Sequence, residues 1–241
     1  MQDEIIKHTT KIYKTAKEPK HSFIEKLKEI TIEIFIIVFA VSLSIWLHSW
    51  SEHQHEQKEV KEFLEDLRVD LNNDIKDLER QNSYLKTTSQ GCKFYGNLTL
   101  QKMDSLKKIN DTNRIQMNIN PIFKIRNTGN YEGFRSSGKI GLIKDRKLKT
   151  KILDYYQKVV PTKDDWQIYY NSLVFKIADE LIETLKPDGN PDIINKAIYS
   201  SSKVKGLLLN CSAQTDMIIQ INNNVIKSAK EIIKEIDKDN K

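Results

Sequence analysis

Glycine and proline are scarce in this chain, eight and five among 241 residues, and neither occurs between Trp50 and Gly91. A stretch that long without turn formers reads as helix. Cysteine is scarcer still: Cys92 and Cys211 are the only two, with no Cys-x-x-Cys and no metal-ligand spacing. Also missing are the phosphate-binding loops GxGxxG and GxxxxGK(S/T), the nucleophile elbow GxSxG and the zinc-protease HExxH. No catalytic signature remains, and the expectation is a non-enzymatic protein without cofactor or metal.

What the chain does have is one apolar run, TIEIFIIVFAVSLSIWLHSW, from Thr31 to Trp50. A lipid-spanning helix needs about 20 mostly apolar residues, at about 1.5 Å of rise each across a core of about 30 Å. A core helix of a soluble domain would carry a polar face, yet Ile34 to Leu43 is apolar all round except Ser42. A signal peptide would end at its cleavage site, whereas Ala40-Val41-Ser42 lies mid-run. An interfacial helix would need a charged face along its length. The expected anchor is therefore an uncleaved span over 30–50, and the lipid bilayer is the first expected partner.

Lysines 11, 14, 17, 20, 26 and 28 precede the run, while Ser51 to Glu56 after it contain no lysine or arginine. Basic residues collect on the cytoplasmic side, which predicts a cytoplasmic tail over 1–29 and a domain over 51–241 outside. In a bacterium that means the inner membrane and the periplasm. The tail has no room for a kinase or cyclase. Although the net charge is +6, the basic residues form no aromatic-interleaved patch. Anionic lipid is expected to meet the tail, and nucleic acid is not an expected partner.

The anchor resembles that of a family of single-span bacterial proteins known only as a domain of unknown function. Glu33 at the start of the span, then Trp50 and Glu52 at its exit, match that family's spacing. A second segment, YEGFRSSGKIGLIKDRKLKTKILDYY from Tyr131 to Tyr156, is similar to its aromatic, Ser-Ser-Gly, Leu-Ile, Tyr-Tyr pattern. Departures are Ala40, where the family usually has Gly, and Trp46, where it often has Gln. The resemblance implies architecture and no chemistry.

Beyond the span, Val60, Leu64, Leu67, Leu71, Leu78 and Leu85 recur at helical spacing over 51–90. This predicts a stalk-like helix whose coiled-coil heptad is broken by Asp74 and Gln81, and so a bundle helix. Gly91 and Gly96 predict a break, and 98–109 a short helix. Residues 110–130 read as an irregular insertion, with 115–126 able to form an extended pair. Asp145 should N-cap a helix ended by Pro161, and Asp164 or Asp165 should start another. Pro187 to Asp192 is a turn. Ile218, Ile221, Val225, Ala229, Ile232 and Ile236 mark a seam on a final helix over 206–238. The fold class is all-α: one transmembrane helix continuing into a helical bundle with one irregular insertion.

Several residues invite functional reading. Glu33 is an acid in an apolar run and a candidate for ion coupling, or else for pairing at the cytoplasmic face near Lys26 to Glu29. Ala40 and Ser44 form a small-xxx-small pair able to bring two spans together as a homo-oligomer. Arg135, Ser136, Ser137 and Gly138 suit either an anion or a glycine-closed helix end. His48, Glu52 and His55 share a helical face but lack a second ligand helix, and read as hydrated polar residues. Cys92 and Cys211 are a candidate disulfide if two long helices run antiparallel, competing with buried free thiols. The expected role is a scaffold or assembly partner for other envelope proteins. The alternatives are a ligand sensor using a separate cytoplasmic partner and an ion-coupled subunit using Glu33.

Overall fold

A computed structural model describes residues 2–17, 23–99, 101, 118–183 and 201–239. The protein is an all-α helical bundle with one long apolar N-terminal helix, and the described residues include no strand. It divides into two compact units, residues 1–61 and 62–241. Helix α1 is Gln2–Lys17, and α2 runs from Phe23 to Gly96. The expected break at Gly91 is absent. An interior glycine costs only about 1 kcal/mol against alanine, and Thr88, Ser89 and Cys92 around it are buried.

In the second unit α3 is Gly129–Ser136, α4 Arg146–Asp154, α5 Val160–Glu183 and α6 Ser202–Asp239. Asp145 caps α4 as expected, its carboxylate accepting from the Lys147 and Leu148 N–H groups at 2.7 and 3.1 Å. Pro161 does not end a helix, and no new helix starts at Asp164 or Asp165. A π turn over Tyr155–Val159 joins α4 to α5, and Pro161 sits in the first turn of α5. Proline lacks an N–H and crowds the carbonyl four residues back; the wider π turn loosens the helix at that point.

Helices α2 and α6 are antiparallel, their polar partners advancing along one as they retreat along the other. Arg68 pairs with Asp237 at 2.9 Å, Lys230 with Glu79 at 3.4 Å, and Ser89 bonds Ser212 at 3.0 Å. Between them Asn222, fully buried, donates to Gln81 and Asn82 at 3.0 and 2.9 Å. Leu67, Leu71, Leu78, Leu148, Ile152 and Ile236 are buried on this axis, each contributing about 1.5–3 kcal/mol by leaving water. Leu85, Tyr170, Leu173, Ile177 and Leu208 fill the core nearer Cys92. Gly96 closes α2 where a Cβ would stand 2.8 Å from the Leu209 side chain.

Residues 118–127 run extended against α2 and α5 without a partner strand among the described residues, and Thr128 turns into the helical region at the start of α3. The helix expected over 98–109 lies outside the described residues save for 98, 99 and 101, as do the turn at 187–192 and residues 110–117 of the insertion.

Candidate functional site

In the first unit, His8 and Lys11 lie three residues apart, a spacing that puts two side chains on one helical face. His8 Nδ1 and Lys11 Nζ reach the two carboxylate oxygens of Glu33. Glu33 is only 5% exposed, on a helix whose other apolar-run residues are mostly open. Among the described side chains its partners come from α1. Sequence reading missed them because it took residues 1–29 as a cytoplasmic tail and looked for the partners of Glu33 only near Lys26 to Glu29. The carboxylate in turn holds the Lys11 ammonium pKa above its ordinary value, by hydrogen bond and then by charge. Both oxygens are engaged, so Glu33 is an acid already matched by two bases.

Ala40 is exposed and Ser44 half-buried, and the Ser44 hydroxyl donates to Ala40 O at 2.8 Å within its own helix. His53 lies 3.7 Å from Glu56, and His55 the same distance from Glu59. Among the described residues no group of three or more His, Cys, Asp or Glu is placed to hold a metal.

At the end of α3, Gly138 takes φ 77°, the left-handed conformation that favours glycine. The Ser136 and Ser137 hydroxyls donate to Gly133 O at 3.1 Å and Phe134 O at 2.8 Å. That is the geometry of a helix end, with both hydroxyls spent on their own turn and Arg135 exposed beside them. Aromatic residues of the Tyr131–Tyr156 segment go to packing. Tyr131 stacks on Tyr156 with centroids 4.0 Å apart, and Phe134 stacks on Phe63 at 3.9 Å.

Cys92 of α2 and Cys211 of α6 are brought together, both as free thiols and both fully buried. A hydrogen bond with Cys211, then burial, push the Cys92 thiol pKa far up.

Sequence reading also missed the most elaborate polar constellation, which fastens the extended segment. On α2, Asp74, Gln81 and Thr88 are spaced by sevens and share one face. Asp74 accepts from Asn127 N and Nδ2 at 3.1 and 2.7 Å. Gln81 donates to Phe123 O at 3.3 Å, and Thr88 to Asn118 O at 2.7 Å. From α5, Asn171 accepts from Ile122 N and donates to Ile122 O, both at 2.9 Å, while Gln167 donates to the same carbonyl at 3.0 Å. An extended chain without a partner strand has no ladder to satisfy its peptide groups, so side chains supply the bonds, at the buried Ile122 and along the more open residues beside it. Burial pushes the Asp74 carboxyl pKa up. It pushes the Lys163 ammonium down, although Asp164 stands 3.6 Å away and Gln167 Oε1 3.3 Å. Lys124 and Arg126 of the segment pair with Asp164 at 3.4 and 3.2 Å. The available signal was the pair of polar residues breaking the α2 heptad. Most of these groups are committed to bonds within the chain itself.

No curated protein and no solved structure matches this chain. Residues 33–183 match a family of unknown function, DUF6090. That match begins at Glu33, takes in the helix, the strap over 118–128 and the Tyr131–Tyr156 segment, and covers more than half of the sequence. The chain belongs to the DUF6090 family.

Proposed function

We propose that the protein is a single-span membrane protein with its N-terminus in the cytoplasm and its helical domain in the periplasm, acting as a non-enzymatic scaffold or assembly partner. One observation carries the reading. The apolar window of α2 has mean hydropathy 2.4 and is only 6% buried by the rest of the protein, whereas the continuation of the same helix buries its apolar stripe in the bundle. An exposed apolar cylinder of that length needs an apolar solvent, which lipid supplies. Glu33 lies near the cytoplasmic end of the window, where pairing with His8 and Lys11 offsets the cost of an isolated charge. The same pairing argues against an ion-coupled role, which needs an acid free to exchange its ion. The bundle supports a scaffold because its interior polar groups are mostly spent on internal bonds.

The test is purification from membranes in mild detergent, with mass spectrometry of what remains bound in stoichiometric amount, repeated with Glu33→Gln. A membrane-protein partner retained by both forms supports the scaffold. A partner lost with Glu33→Gln favours the ion-coupled subunit, a bound small molecule favours the sensor, and a monodisperse, partner-free protein contradicts all assembly roles.

A further inference from the structure

Seven of the residues from Arg135 to Lys151 are lysine or arginine, against one acid, Asp145. Contacts of α3 and α4 place this stretch at one end of the bundle. Going forward along α3, Asn130 bonds Asp70 at 2.9 Å and Phe134 stacks on Phe63, so α3 descends α2 toward its lower-numbered end. Going forward along α4, Lys147 pairs with Glu235 at 3.2 Å, then Lys151 with Glu235 and Glu231 at 3.1 and 3.6 Å. So α4 climbs away from the end of α6, and the Arg68–Asp237 pair puts that end beside the same part of α2. The turn between the two helices, residues 137–145, therefore lies where α2 enters the bundle. Thirteen residues lead from Trp50 to Phe63, which keeps the two within about 45 Å of each other even as an extended chain.

Much of the charge at this turn is not spent inside the protein. Lys147 and Lys151 serve Glu235, but Arg135, Lys144 and Arg146 are exposed, with no described acid at ion-pair distance. Lys149 Nζ donates to Gly141 O at 3.3 Å, which folds the start of α4 against the turn and draws the cations together. Arg146 and Lys147 stand in the first turn of α4, which holds no acid. The positive end of a helix dipole favours anions, so these cations add to a positive field there. Between the charges the turn sets Ile140 and Leu142, neither of them buried, around the exposed Gly141. Cations flanking half-exposed aliphatic side chains suit the boundary of a bilayer, anionic at its headgroups and apolar just beneath.

We propose that this turn docks on anionic phospholipid headgroups of the membrane that α2 crosses. Arg135, Lys144 and Arg146 meet the phosphates, and Ile140 and Leu142 enter beneath them. The inference rests on the reading of α2 as a span. It does not depend on which side of the membrane holds the domain.

The test uses the full chain with Gly141→Cys, carrying an environment-sensitive fluorophore, in vesicles of phosphatidylcholine or of an equal mixture with phosphatidylglycerol. Gly141 is open, with nothing within 4 Å of an added Cβ. The native thiols are fully buried, so the reagent takes residue 141. Quenching of the label by headgroup-nitroxide lipid reports docking, and quenching of tryptophan by lipid brominated on its acyl chains reports the span. The expected result is label quenching that is stronger in the mixed vesicles and falls in high salt. Lys144→Gln and Arg146→Gln should each weaken docking about fivefold, whereas Lys176→Gln, an exposed position of α5, should leave it unchanged. Equal label quenching in the two kinds of vesicle, or none lost in the double variant, while tryptophan is still quenched, overturns the proposal and spares the span. Unquenched tryptophan in both overturns the span reading and this proposal with it. A label response that inorganic phosphate reproduces in pure phosphatidylcholine assigns the turn to a soluble anion and also overturns the proposal.

Discussion

The two halves of α2 belong to one unbroken helix and obey opposite rules. Between Thr31 and Trp50 the side chains are apolar and open to their surroundings. Between Val60 and Cys92 most of the outward residues are polar or charged, and most of the apolar ones are buried. Each half also buries an acid, by different means. Glu33 is met by the imidazole of His8 and the ammonium of Lys11, and Asp74 by the backbone and side chain of Asn127. Burial alone therefore does not say what an acid is for. Glu33 is matched in charge by Lys11 of the neighbouring helix, whereas Asp74 is hydrogen-bonded where a protein segment needs its N–H groups met.

The difference can be broken or sharpened by experiment. The largest expected effect concerns compartment. If the second half faces an oxidising space, the neighbouring Cys92 and Cys211 thiols close into a disulfide worth roughly 4 kcal/mol on the chain-entropy model. Protein extracted from membranes and alkylated in denaturant without reductant should then carry no alkyl adducts at monomeric mass. Two adducts per chain would refute the bond.

Next comes packing. Leu71→Ala should lower stability by about 2–5 kcal/mol, because its side chain is fully buried. Val38→Ala, in the exposed half, should leave the denaturation midpoint of the bundle where it was. Equal losses at the two positions would erase the contrast drawn above.

A smaller loss, about 1–3 kcal/mol, is expected for Asp74→Leu, which removes the acceptor of both Asn127 bonds. Gln81→Leu should cost about 1 kcal/mol through the bond to Phe123 O. Amide exchange at Asn127 should quicken in the first variant. If it is as slow as in wild type, the strap is not held as described.

Acid titration distinguishes two carboxylates of the same unit by sign. Lys238, Lys151 and Lys147 pull the Glu235 pKa down to about 2 from the ordinary 4.5. Its contribution is present above about pH 4.5 and is lost as pH falls toward 2. The Asp74 pKa is raised above its ordinary 3.8, so its contribution is present below that value and lost as pH rises through the folded one. Relative to wild type, Glu235→Gln should be destabilising at neutral pH with the gap closing in acid. Asp74→Asn should gain on wild type as pH rises past about 4. Parallel stability curves for wild type and either variant would contradict the assignment.

Much of this fold was legible in the sequence wherever periodicity recorded it. The seam from Ile218 to Ile236 gave the last helix to within a few residues, Ser202–Asp239 against the expected 206–238, and Asp145 marked the start of α4. Three local signals misled. Gly91 lies within a helix whose packing outweighs its propensity, Pro161 follows a π turn that accommodates it, and the polar N-terminal stretch folds as α1. The strap was legible only in part. Asp74 and Gln81 stood out as misfits in the heptad, but their partners lie in a segment that bonds mainly through its backbone. Backbone groups are the same at every residue, so no pattern of side chains announces them.

The central claim is that the exposed half of α2 crosses a lipid bilayer between a cytoplasmic N-terminus and an external bundle. It is tested most directly with single cysteines at Thr10→Cys and Glu132→Cys in a Cys92→Ala, Cys211→Ala background, both positions being exposed in the structure. Intact spheroplasts are treated with a membrane-impermeant thiol reagent, before and after permeabilisation. The account predicts labelling at residue 132 in intact cells, and at residue 10 only once the membrane is opened. Labelling at both positions in intact spheroplasts, or the reverse pattern, would contradict it.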